Sequence, residues 1–217
     1  SNTMTSFQFM DMEHWKRAEH CRIFRHALEP QYCVTFELDV SHFLPFVRSR
    51  RLSFTLSLIY TVTRCAEKLE EFRYRFIEGK PALLERVHTS FTSLDPHTEL
   101  FKFVRVDMAD SMEAYVERAK AAAESQKTYF PGPPDEDVFV FSPMPWIAYT
   151  HISHTVSGRK DCATPLFDWG KYTVREGKIV LPFSVQVHHS FVDGIHIGRL
   201  ADALQRHLDD PARQTTR

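Results

Sequence analysis

Near its C-terminal end the chain reads His188-His189-Ser190-Phe191-Val192-Asp193-Gly194, which puts two imidazoles, a carboxylate and a turn-forming glycine within seven residues. An imidazole titrates near ~6.5, so its neutral form takes a proton at neutral pH and can serve as a general base. Side chains of neighbouring strand residues diverge, so His188 and His189 cannot share one ion. His189, Asp193 and His196 match no common ligand spacing, and no metal is expected. No Gly-x-Ser-x-Gly elbow supplies a protein nucleophile. The nucleophile for such a base then belongs to a substrate.

The flanking elements decide which histidine is offered. Over residues 179–189, Ile179, Leu181, Phe183, Val185, Val187 and His189 fall on one face of a strand. Val180, Pro182, Ser184, Gln186 and His188 fall on the other. This parity places His189 on the apolar face and turns His188 away. A core-facing histidine is ordinarily a hydrogen-bonded structural group, so the base role of His189 competes with a plainer one. Pro182 marks an edge position or a local irregularity. After Gly194, the apolar residues Ile197, Leu200, Ala201, Leu204 and Leu208 follow helical spacing, with Asp193 as the N-cap.

The whole chain bounds the rest. Its 217 residues are read as one domain, 1–217, with Ser1-Asn2 as an expression scar. Apolar residues make up 43%, enough for a sizeable core rich in its 18 phenylalanines. A net charge of −1 gives no basic field for nucleic acid. No apolar run reaches the length of a membrane span, and no signal-peptide pattern opens the chain. Cys21, Cys33, Cys65 and Cys162 form no C-x-x-C pair and read as reduced thiols of a cytoplasmic protein.

Periodicity predicts helices over about Asp11–His26 and Ser53–Leu69, and a third ending near Ser125 behind an Asp110/Glu113 capping box. Strands are predicted near Cys33–Leu38, Leu83–Val87, Ser90–Leu94, Leu100–Val106, Val138–Ser142 and Trp146–Ile152. Helices gather early and strands late. The fold class is therefore α/β, an α+β two-layer sandwich with helices packed on a large mixed sheet.

The segment from Gln186 to Arg199 resembles the signature of the chloramphenicol acetyltransferases. Further segments resemble that family: Trp15-Lys16-Arg17-Ala18-Glu19-His20, Glu71-Phe72-Arg73 with Gly79, Ser142-Pro143-Met144-Pro145-Trp146, and Gly170-Lys171-Tyr172. The resemblance spans nearly the whole chain. It implies a homotrimer with active sites between subunits, acetyl-CoA as co-substrate and a small-molecule acceptor. By position it makes His189 the general base, Ser142 the donor to the oxyanion, and Asp193 and Arg17 an ion pair that holds the His189 loop. It places Lys171 and Tyr172 near the CoA nucleotide. Read alone, Ser142 is a strand-end serine, Arg17 a solvated one, and Lys171 and Tyr172 a solvated pair.

Departures concern the acceptor pocket. Asp168 stands where the family has a Thr that holds an ordered water. Ile152 and His154 replace larger or more apolar pocket groups, Phe24 replaces a Tyr, and Leu28 is a further pocket residue. Ser53 stands where a CoA-contacting Lys is expected, with Arg50 and Arg51 nearby. A carboxylate close to a developing oxyanion opposes it, so Asp168 must be turned away, paired or protonated, or else serve a different acceptor. Three readings follow: chloramphenicol O-acetylation, acetylation of another hydroxyl or amine compound, a cationic one included, or a non-catalytic binder of the same fold.

Overall fold

The computed structural model describes residues 5–133, 135–154 and 159–214. It begins with strand β1 (Phe7–Phe9), helix α1 (Ala18–Arg25), strand β2 (Gln31–Asp39) and helices α2 (Phe43–Ser49) and α3 (Phe54–Glu67). Strands β3 (Tyr74–Ile77), β4 (Lys80–Leu84), β5 (His88–Leu94) and β6 (Phe101–Val106) follow, then helix α4 (Met112–Ser125). The chain ends with strands β7 (Val138–Phe141), β8 (Leu166–Trp169), β9 (Thr173–Arg175) and β10 (Lys178–His188), and helices α5 (Gly194–Asp209) and α6 (Pro211–Gln214).

A large sheet runs in the order β2-β10-β8-β7-β5-β6, with β9 pairing β10; β1, β4 and β3 form a smaller sheet. The β5–β7 and β7–β8 pairs are parallel and the others antiparallel, so the large sheet is mixed, as expected. Helix α3 packs between α4 and α5 and is buried on most of its circumference. On the sheet lie Phe91, Phe141, Phe167, Phe183 and Trp169, all buried, the last four in a chain of ring contacts. The phenylalanines noted in the sequence thus fill the layer between sheet and helices.

Several expectations shift. The helix expected from Asp11 starts only at Ala18, because residues 11–17 are occupied by turns anchored on Asp11, whose carbonyl accepts from His14 and Trp15. The cap of α4 is Ser111, whose hydroxyl accepts from the Ala114 amide, so the Asp110/Glu113 reading is displaced by one residue. The strand expected at Leu83–Val87 is β4, ending at Leu84. Residues 146–152 form no strand. Pro143 and Pro145 remove two amide donors just after β7, and Trp146 is 67% exposed. The place beside β7 belongs to β8, which is too short to show a period.

Strand β10 is central, not an edge, since β2 flanks one side and β8 and β9 the other. Pro182 is tolerated as a local irregularity. It faces the gap between the β8 and β9 pairings, where its carbonyl accepts from Gly170. Strand pairing ends at His188, and His189 lies in the following turn. Parity therefore does not carry His189 into the core, and the buried histidine is His188.

Phe167 is fully buried and touches rings on three sides. Phe167→Ala is expected to cost about 3–5 kcal/mol in urea unfolding, with an unchanged order of strands. A loss under about 1 kcal/mol would show that the aromatic layer is not well packed.

Candidate active site

Two separate regions hold the residues singled out from the sequence. The first is the turn between β10 and α5. Arg17 binds it from the other end of the chain with all three guanidinium nitrogens. Nη1 and Nη2 donate to the two Asp193 oxygens, each at 2.8 Å; Nε donates to the Ser190 carbonyl at 2.7 Å and Nη2 to the His189 carbonyl at 2.9 Å. This fork is what a guanidinium provides and an ammonium cannot. Its hydrogen bonds hold the Asp193 carboxyl below the usual carboxylate range. Asp193 also stands at the N-cap of α5: its carbonyl accepts from the His196 amide at 3.0 Å, and its own amide donates to His196 Nδ1 at 2.9 Å. His196 is thereby committed to the cap.

The two histidines divide clearly. His188 is buried and satisfied on both nitrogens, with Nε2 donating to the Lys160 carbonyl at 2.7 Å and Nδ1 accepting from the Ser190 amide at 3.1 Å. Burial pushes its pKa down, which favours the neutral ring this pattern requires. The plain structural role belongs to His188. His189 is held by its face instead: its ring stacks on Phe24 at 3.7 Å and 3°, with Tyr32 tilted at 4.9 Å. Its Nδ1 is buried 3.2 Å from Asp193 Oδ1 but misaligned for a hydrogen bond. The side chain is 37% exposed, so the open edge of the ring is the part where Nε2 lies. Leu28, three residues past the end of α1, is 83% exposed.

The second region lies at the far end of β7 and β8. The Ser142 amide donates to the Phe167 carbonyl at 3.1 Å, continuing the β7–β8 register and setting Ser142 beside Asp168. Asp168 pairs in turn with Ser184 on β10, and Ser184 with Thr35 on β2. A row of small polar side chains thus crosses the face of the sheet opposite the helices. Tyr149 roofs it, its hydroxyl 2.9 Å from that of Ser184. His154 covers Asp168, and Ile152 is half-buried nearby in sequence. Gly170 lets the roof lie close, since a Cβ there would collide with the Ile147 carbonyl oxygen and come within 2.9 Å of the Tyr149 ring. Lys171 is exposed, and its amide donates to Ile147 at 2.8 Å. The Tyr172 hydroxyl accepts from Arg48 at 3.0 Å, and its ring edge meets Phe54. Arg48 is a basic neighbour that sequence reading missed, because it sits on α2, an element without a clear period.

One chain does not bring these regions together. From Ser184, level with Ser142, to His189 is five residues along β10, roughly 17 Å, and Ser142 lies about 10 Å to the side, two strands away.

A family model described as "Chloramphenicol acetyltransferase" matches residues 5–205. The chain belongs to the chloramphenicol acetyltransferase family. It is 31% identical over 208 residues to a chloramphenicol acetyltransferase of Streptomyces acrimycini, covering 94% of each chain. It is 28% identical over 210 residues to one of Escherichia coli, covering 95% of this chain and 96% of that one. A solved chloramphenicol acetyltransferase superposes with a TM-score of 0.85 at 25% identity, over 94% of this chain and 100% of the other. The dihydrolipoamide acetyltransferase of Azotobacter vinelandii, at 17% identity and a TM-score of 0.68 over 98% and 92%, shares the fold. The residues singled out by the resemblance fall in both regions, with His189, Asp193 and Arg17 in one and Ser142, Lys171 and Tyr172 in the other.

The turn should loosen in acid. His188 and Asp193 both have lowered pKa values, so their stabilising effect is whole above about pH 6.5 and fades as pH falls through their native ranges, His188 first. Hydrogen exchange at the Ser190 amide, corrected for intrinsic rate, should lose protection on acidification. Full protection well below the ordinary histidine range would contradict this.

Proposed function

We propose that the protein is an acetyl-CoA-dependent O-acetyltransferase whose acceptor is chloramphenicol. The observation that carries this reading is the Arg17-bound turn presenting the open edge of His189, in a chain matched by the family model over residues 5–205. In this mechanism His189 Nε2 takes the proton of the acceptor hydroxyl as its oxygen attacks the thioester carbonyl. The resulting oxyanion accepts from the Ser142 hydroxyl. Collapse expels the CoA thiolate, and the proton on the imidazolium passes to it. Asp193 and Arg17 position the base and move no proton. Lys171 and Tyr172, with Arg48 alongside, bind the nucleotide end of CoA, while Phe24, Leu28 and Ile152 line the acceptor path. Acetyl-CoA as donor places the activity in the cytoplasm.

The separation of His189 from Ser142 along β10 favours a site completed by a second protomer. We therefore place it between subunits of a homotrimer. Exposed apolar residues lie close in sequence to parts of each half: Leu28, four residues past Phe24, and Ile195, six past His189, on one side, and Trp146 and Ile147, four and five past Ser142, on the other. Such groups are suited to burial in an assembly.

Thiol release from acetyl-CoA with chloramphenicol tests the reading. His189→Ala should lower kcat by about 10²–10⁴, and Ser142→Ala by about 10²–10³. A His189→Ala enzyme as fast as the parent would overturn the base assignment. Mixing unfolded His189→Ala and Ser142→Ala chains and refolding them together should regain activity, because a hybrid trimer carries an intact pairing of the two residues. If co-refolding yields trimers but no activity, the two residues do not meet across an interface.

Arg17→Lys keeps the charge but not the fork. It should lower kcat by about tenfold or more through misplacement of His189, with the KM for acetyl-CoA little changed. The same change in KM and none in kcat would remove Arg17 from this role.

A further inference from the structure

Asp168 is 1% exposed, and Oδ1 makes no hydrogen bond. His154 Nε2 lies 3.4 Å from Oδ2, also buried and without a hydrogen bond. The Trp169 backbone amide is the one donor that eases its charge, and a carboxyl buried with so little support is costly unless that charge is removed. The position is not remote from the proposed chemistry. Asp168 is the cross-strand neighbour of Ser142, so their Cβ atoms are about 5 Å apart on one face of the sheet.

We infer that Asp168 and His154 form a one-proton pair that governs acetyl transfer from the acceptor side of the site. With the proton in place the pair is neutral and tolerates an oxyanion at Ser142. With the proton gone, the charge on Asp168 opposes that oxyanion. The acceptor class that fits is a neutral alcohol; a cationic one would have to displace the His154 and Tyr149 roof to reach Asp168. This inference rests on the proposed acyl transfer.

Among the described residues no cation faces Asp168 to hold it ionised. The titratable groups facing it are His154 and Tyr149 from the roof and Cys33 from β2. Neighbouring β7 and β10 contribute only the hydroxyls of Ser142 and Ser184. Burial lowers His154, raises Tyr149 to about 12 and raises Cys33, so all three are neutral around pH 7. Burial also pushes Asp168 up to about 7. The sign follows: Asp168 holds its proton below that range and loses it above.

The test is the pH profile of kcat for thiol release, paired with the infrared band of a protonated carboxylic acid. The parent should lose about tenfold or more in rate as pH rises past the Asp168 range. Asp168→Asn and Asp168→Thr, two independent replacements, should flatten that alkaline limb. His154→Leu, which makes the roof more apolar, should move it to higher pH. The infrared band should be present in mild acid, fade across the same range and be missing from Asp168→Asn. A limb that survives in both Asp168 variants, or a carboxyl already ionised in mild acid, overturns the inference. If the band titrates as expected but no thiol is released with chloramphenicol, the pair's protonation stands and the acceptor assignment fails.

Discussion

Strand spacing sets the terms for everything functional in this molecule. A β-strand rises about 3.3 Å per residue and neighbours lie about 4.8 Å apart. The pairing of β10 with β8, and of β8 with β7, therefore fixes where Ser142, Asp168 and Ser184 sit relative to His189. No side chain is long enough to cancel five residues of offset. The division of the site into two halves is a property of the hydrogen-bond ladder, and it is why we look to a second protomer for completion.

Within the His189 half, order comes from a single guanidinium. Arg17 replaces water at three separate acceptors of one tight turn, and those acceptors include the carbonyl of His189 itself. Asp193 balances its charge and caps α5, so helix, turn and N-terminal segment share one polar anchor. On the opposite half, order comes from packing. Ser142 and Met144 still donate to β8 past the end of β7, Pro143 and Pro145 offer no amide between and after them, and Gly170 admits the roof that seals Asp168 from water.

Much of this was legible in the sequence where a period was long or a motif dense. Alternation over 179–188 and helical spacing after Gly194 are visible because those elements run many residues. The Arg17–Asp193 contact, 176 residues apart, leaves no local signal and came only from family resemblance. Short strands such as β3 and β8 carry too few residues for a pattern, and residues 146–152 looked like a strand because their apolar content outweighed two prolines in the reading. Parity misplaces His189 for a plain reason: alternation holds only while the strand continues, and paired register ends at His188, with the His189 amide reaching a Pro30 that has no N–H to return. The buried pairing of Asp168 with His154 depends on how a loop folds back over the sheet, which spacing does not encode.

The Phe24–His189 stack has a consequence for how such a protein changes over generations. An imidazole clamped across its flat faces is oriented by ring area, not by any particular hydroxyl or amide at its rim. Residues that meet the acceptor, Phe24 itself excepted, can then be exchanged without disturbing the plane of the ring. Recognition can drift while the proton-handling group stays where it is, so new acceptors become accessible by single substitutions that leave the inherited geometry in place.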